Sequence, residues 1–142
     1  MACSRTLTRL VAAFGAMLWL GWVAPAQAAA HRHHPHIDRS GRPRTGRASY
    51  YARKDAGKKT ASGAAFAPRQ MTAASRTLPL GTKAKVTDAD TGKSVAVTVT
   101  DRGPFAKNRI LDVSPRAADE LGMKDKGAAK VTVQPIELPR PQ

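Results

Sequence analysis

Two aspartates stand out in the stretch VTDRGPFAKNRILDVS, residues 99–114. Asp101 ends a valine-rich run just before an Arg-Gly-Pro-Phe turn, and Asp112 follows Ile110-Leu111 inside a second apolar run. Aspartate is a poor strand residue, so each needs a reason to be there. A carboxyl at a strand end among apolar neighbours can keep its proton at neutral pH. That suits a general acid that protonates a glycosidic oxygen. The alternative is structural, since turn aspartates commonly accept hydrogen bonds from loop amides. Spacing alone favours the structural reading, because two aspartates eleven apart are not a specific motif. Successive strand side chains point to opposite faces, which carries Arg102 away from Asp101 and leaves Arg109 as the expected charge partner of either carboxylate.

Other chemistries are missing. There is no Gly-rich phosphate loop, no His-x-x-x-His pair and no serine nucleophile elbow. All four histidines lie at or before His36, and the single cysteine is Cys3. Beyond the leader described below, the chain has no thiol, no disulfide and no cysteine metal site. No metal and no cofactor is expected. Asp88, Asp90 and Asp125 sit in turn-like contexts, and Asp119 and Glu120 lie near the solvent side of a helix.

The elements that must position the two aspartates are short. Strand signals occur at ASYYA (48–52), in the extended segment MTAASRTLPLGT (71–82), and at RILDVS (109–114). KAKVTDADTGKSVAVTVTD reads as a β-hairpin, with Val95, Val97 and Val99 at period two after a Gly-containing turn. SPRAADELGM is the one good helix: Ser114 caps it, Pro115 opens its first turn, Gly122 closes it, and Ala117, Ala118 and Leu121 share a face. AAKVTVQPIEL (128–138) is the last strand. Five or six strands and one helix in so short a span predict a mainly β protein, a small β-barrel with a core of Val, Leu, Ile and Ala.

The first 28 residues have the layout of a secretory signal peptide. Arg5 and Arg9 precede an apolar run from Leu10 to Ala24, and Ala26-Gln27-Ala28 follows. The run is shorter than a bilayer needs and ends at Pro25. Export with cleavage after Ala28 or Ala30 is expected, with no stable membrane insertion afterwards. Residues 29–45 are basic, His-rich and broken by Pro and Gly, and read as a disordered arm. The folded domain is expected over 46–137, with a Pro-rich tail at 138–142. Formal net charge is +14, and the leader holds none of the ten acidic residues, so removing its two arginines leaves +12. Such a chain favours a polyanionic partner. Cell-wall polymer with its peptide carboxylates, anionic lipid and extracellular nucleic acid all qualify. Nucleic acid ranks last, because only Tyr50 and Tyr51 offer aromatic stacking among the basic residues.

In order, ASYYA, KTASGAAF, MTAASRTLPLGTKAKVTDADTGKSVAVTVTDRGPF, RILDVSPRAADELGM and GAAKVTV resemble the rare lipoprotein A (RlpA) family from about Gly46 to Ile136. DRGPF followed by ILDVSPRAA is the strongest signature. The resemblance implies a six-stranded double-psi β-barrel with one short α-helix. It also implies an exported lytic transglycosylase of the periplasm or cell envelope, acting as a monomer on peptidoglycan glycan strands. Such an enzyme protonates the bond between N-acetylmuramic acid and N-acetylglucosamine, and the muramic C6 hydroxyl attacks to leave a 1,6-anhydro end. Asp112 resembles the catalytic aspartate of double-psi-barrel lytic transglycosylases, and Asp101 matches the Asp of the family's Asp-Arg-Gly-Pro-Phe in the same groove. Thr60, Ser62, Ser75, Arg76, Arg102 and Arg109, in the matched segments, are the implied substrate contacts. The pattern departs at two places: Ala64 replaces the family's Glu in Ser-Gly-Glu, and Ser75 replaces its His in Ala-Ala-His. These losses imply an alternative, a non-catalytic, expansin-like glycan-binding barrel.

Overall fold

The computed structural model describes residues 36–141. The leader, its cleavage site and residues 29–35 of the expected arm lie outside the described residues. Six strands run β1 (Arg44–Tyr50), β2 (Thr72–Ser75), β3 (Lys83–Asp88), β4 (Ser94–Asp101), β5 (Arg109–Val113) and β6 (Ala128–Glu137), with one helix, α1 (Pro115–Leu121), before β6. They close into a barrel in the order β1-β5-β2-β4-β3-β6. Four of the six contacts are antiparallel; β1–β5 and β2–β4 are parallel. Among the described residues no helix is long and apolar enough to cross a membrane.

Alternation builds the interior. Ala84 and Val86 of β3, Val95, Val97 and Val99 of β4, and Ala129, Val131 and Val133 of β6 all point inward and are buried. Small and β-branched side chains fill so narrow a lumen without strain, and each fully buried Val or Leu contributes about 1.5–3 kcal/mol. Leu111, Val113, Leu121 and Met123 complete the core. The helix packs on β4 and β1 with Ala117, Ala118 and Leu121 fully buried. Its boundaries follow from local chemistry. The Ser114 hydroxyl accepts from the Ala117 amide, Pro115 sits in the first turn, and Gly122 stops the helix at φ 70° in the left-handed region.

Two local details differ from the sequence reading. β1 begins at Arg44, inside the stretch read as an arm. Asp38, ahead of it, donates its amide to the Thr77 carbonyl at 2.7 Å and pairs with Arg44 at 2.9 Å. Composition suggested nothing to bury there; backbone pairing of Arg44 and Thr45 with β6 extends the strand into it instead. Asp88 is a turn residue as expected, but a fully buried one. Its Oδ1 accepts the amides of Asp90 and Thr91 at 2.8 and 2.9 Å, closing the β3–β4 hairpin. Burial works to raise its pKa, yet the Thr91 and Asp90 amides and Lys126 outweigh it and hold the carboxyl below the ordinary value.

Candidate active site

Four strands contribute one residue each to a row across the barrel wall. Ala74 of β2 pairs with Asp112 of β5 on one side and Asp101 of β4 on the other, and Asp112 pairs in turn with Ser49 of β1. The neighbours Ala48, Ala73, Leu111 and Val113 belong to the core, so by the two-residue period Ser49, Asp112 and Ala74 face outward. Asp101 needs a further device. Strict alternation after Val95, Val97 and Val99 would send it into the lumen. The β2–β4 register shifts between Ala73 and Ala74, skipping Thr100, and this bulge sets Asp101 beside Ala74. A matching shift skips Ile110 in the β1–β5 ladder.

Between the two carboxylates Ala74 is fully buried beneath the turn that follows β4: a Cβ on Gly103 would stand 3.7 Å from its methyl. Gly103 has φ 141°, a conformation open to glycine, and is joined to Pro104 by a cis peptide. The turn then presents Phe105, 84% exposed.

The aspartates have different surroundings. Asp101 is a clasp. Its Oδ1 accepts the amides of Ala61 (2.9 Å) and Arg102 (2.8 Å), and its Oδ2 accepts the Tyr51 hydroxyl at 3.0 Å. Three chain segments meet on that carboxylate: the exit of β1, the 57–66 loop and the turn after β4. Asp112 is left freer. Its Oδ1 accepts the Ser49 hydroxyl at 2.7 Å and faces Arg109 Nε at 3.6 Å, too long for a hydrogen bond. Arg109 Nη1 donates to the same Ser49 oxygen at 2.6 Å, so Ser49 links the guanidinium to the carboxylate. Among the described residues nothing donates to Asp112 Oδ2.

Tyr51 bonds Asp101 and lies within the field of Asp112. Burial, then the charge and hydrogen bond of Asp101, push its pKa well above the ordinary value near 10, and Asp112 and Asp55 add to the effect. Its hydroxyl is therefore a permanent donor at neutral pH. Its ring packs on Phe66 with centroids 4.9 Å apart. Sequence reasoning missed Ser49, Tyr51 and Phe105. The signal for Tyr51 was alternation in ASYYA, where Tyr50 and Tyr51 must face opposite sides.

The remaining residues singled out from sequence divide. Arg109 stands against Asp112. Thr60 and Ser62, with hydroxyls 2.9 Å apart, lie in the loop that Asp101 grips through Ala61, and Ser62 donates its amide to the Thr100 carbonyl. Arg76 reaches the Arg109 carbonyl at 3.3 Å. Two are not brought to the row. Ser75 pairs with inward Leu111, is 2% exposed, and accepts the amides of Thr77 and Leu78. The Arg102 guanidinium is committed to the Ser75 and Leu78 carbonyls at 3.1 and 2.6 Å; burial lowers its pKa against the charge of Asp101. Both hold the 75–78 turn rather than open surface.

Comparison with known proteins agrees with this fold. A family model described as lytic transglycolase matches residues 44–133. The endolytic peptidoglycan transglycosylase RlpA of Rickettsia felis is 52% identical over 93 residues, 63% of this chain and 41% of its own length. RlpA of Neisseria meningitidis serogroup A is 37% identical over 147 residues, 93% of this chain and 62% of its own. The chain thus spans less than two thirds of either relative. Among solved structures, Streptomyces papain inhibitor superposes with a TM-score of 0.54 and 25% identity, covering 66% of this chain and 94% of its own. An expansin from Clavibacter michiganensis superposes at TM-score 0.50 and 22% identity, over 70% of this chain and 53% of its own, a likeness of fold alone.

Proposed function

Because this chain belongs to the RlpA family of double-psi β-barrel lytic transglycosylase-like proteins, we propose that it cleaves peptidoglycan glycan between N-acetylmuramic acid and N-acetylglucosamine. The observation that carries the reading is the outward row in which Asp112 and Asp101 flank Ala74. Asp112 is the acid. Its side chain is 15% exposed, with one oxygen tied to Ser49 and the other open to a ligand. Its proton passes to the glycosidic oxygen as the bond from muramic C1 breaks. The muramic C6 hydroxyl then bonds to C1 and returns its proton to Asp112, leaving a 1,6-anhydro end. No water is placed, so one carboxyl suffices where an inverting hydrolase needs two.

The neighbours hold the reactants. Asp101 fixes the groove wall and the Tyr51 hydroxyl, and Phe105 offers its ring to the apolar face of a sugar. Arg76, Arg109, Thr60 and Ser62 border the strand path, which an exported protein would meet in the periplasm or cell envelope. A second reading is non-catalytic glycan binding. It is favoured by Ala64, which offers no carboxylate, and by Ser75, whose hydroxyl is turned away from the row.

The test is digestion of purified sacculi by wild type and Asp112→Asn, read by mass spectrometry. Anhydro-muropeptides from wild type, falling about 10²–10⁴-fold in the variant, are expected. Sedimentation with sacculi without products would establish the binding reading instead.

A further inference from the structure

Arg109 carries a donor that nothing uses. Its Nη1 donates to the Ser49 hydroxyl at 2.6 Å, and its Nε faces Asp112 Oδ1 at 3.6 Å. That Nε is buried and, among the described residues, has no hydrogen-bond partner. A buried donor left unpaired is unfavourable, and in a folded protein it calls for a specific reason. Asp112 is the one acidic partner of Arg109 among the described residues. The other ionisable groups that bear on Asp112 are Tyr51, on the β1 side, and Asp101, across Ala74.

A bulge brings the guanidinium to this place. Residues three apart on a regular strand face opposite ways, which would part Arg109 from Asp112. The β1–β5 register instead pairs Arg47 with Arg109 and then Ala48 with Leu111, leaving Ile110 out. Arg109 therefore lies on the outward face with Ser49 and Asp112. Gly46 makes room for the skipped residue, since a Cβ there would stand 2.8 Å from Ile110 Cγ2. The Arg109 carbonyl accepts Arg76 Nη2 at 3.3 Å, which steadies the backbone behind the guanidinium.

We infer that Arg109 is a positioning residue whose unused Nε–H closes on Asp112 Oδ1 as that carboxyl gives up its proton. The inference rests on the proposed glycan cleavage and adds to it a control on the acid. In that reaction the proton of Asp112 goes to the glycosidic oxygen, so Asp112 gains a negative charge that it lacked before. A donor aimed where charge develops favours the transition state over the ground state. The gap to close is about 0.7 Å, from 3.6 Å to the usual 2.9 Å. Ser49, bonded to both partners, is the pivot about which it closes. The contact opens again when the muramic C6 hydroxyl returns a proton to Asp112.

The test follows cleavage of soluble glycan oligomers by wild type, Arg109→Gln and Arg109→Lys. Gly46→Ala and Gly46→Ala/Ile110→Ala move the bulge and leave the guanidinium intact. Arg109→Gln should lower kcat about 10–100-fold while KM stays within about 3-fold. Arg109→Lys keeps the charge without the planar fork and should recover less than about 10-fold of that loss. Gly46→Ala should lower kcat in the same way, and trimming Ile110 beside it should restore the rate. Without glycan, the Arg109 Nε–H NMR signal should move as acid is added through the ordinary carboxylate range, and Asp112→Asn should abolish the movement. If Arg109→Gln loses glycan affinity with kcat intact, Arg109 is a substrate contact; the inference is then wrong and the glycan function stands. If no protein yields anhydro ends, the glycan function falls and the NMR response decides alone. A signal that moves in wild type but not in Asp112→Asn upholds the coupling of Arg109 to Asp112, and one that stays still overturns it.

Discussion

Removing the Asp101 carboxylate should damage the fold more than any other single change at the row. Asp101→Ala strands three donors at once: the Ala61 amide, the Arg102 amide and the Tyr51 hydroxyl. Hydrogen bonds to a charged group each contribute about 1.5–3 kcal/mol, and the partial exposure of these places them at the low end. The loss comes to about 4–5 kcal/mol, or about 20–30 °C of melting temperature for a domain of this size. Asp101→Asn keeps an acceptor for the two amides and lets the Tyr51 hydroxyl reorient, and should lose only about 1 kcal/mol. Asp112→Asn is the control. Ser49 can still donate to the remaining oxygen, and the 3.6 Å approach of Arg109 is a weak pair, so about 1 kcal/mol or less is at stake. Thermal and urea unfolding of the three variants reads the contrast. If Asp101→Ala melts within about 3 °C of wild type, the clasp is not what holds the loop and turn together.

Further consequences are open to measurement. Because the native Tyr51 pKa is raised, its contribution to stability is complete below the ordinary tyrosine value near 10 and is lost as pH climbs through the native one. Ultraviolet titration should show one of the two tyrosines ionising late, and Asp101→Asn should bring it down. Asp88 runs the other way: its depressed pKa gives stability that is whole above about pH 4 and fails as pH falls through the native value. Asp88→Asn should flatten the acid limb of a stability–pH curve. Replacing the exposed ring of Phe105 by Ala should weaken sedimentation with sacculi about 10-fold with unchanged melting, while Phe105→Trp should retain binding. Equal binding by all three proteins would remove Phe105 from the site.

Local chemistry was legible in the sequence and register was not. The β3–β4 hairpin, the Ser114 and Gly122 helix boundaries and the final strand follow from short-range patterns, and all appear where those patterns put them. The aspartates could be singled out because carboxyls in valine-rich strands demand an explanation. Why both face the same way was hidden. Residues 95, 97 and 99 predict an inward 101, and only the skipped Thr100, set by pairing with a strand over twenty residues away, reverses it. The roles of Ser49 and Tyr51 were hidden for the same reason, since the carboxylates they bond lie fifty or more residues along the chain. Ser75 misled in the opposite sense: a polar residue in a matched motif, it faces inward because Ala74 on β2 faces out.

The two parallel ladders have a bearing on when the row comes into being. Neither can be made by a hairpin; β1–β5 joins residues about sixty apart and β2–β4 about twenty-six. Such non-local pairings are reached late and slowly in folding, after loop-closure entropy has been overcome. Ser49, Ala74, Asp101 and Asp112 therefore become neighbours only once β5 has inserted between β1 and β2. A polypeptide that has not yet placed β5 can pair Ala74 with Asp101 but has no Asp112 between Ser49 and Ala74. On the proposed function, this order of assembly leaves the site incomplete until β5 is in place.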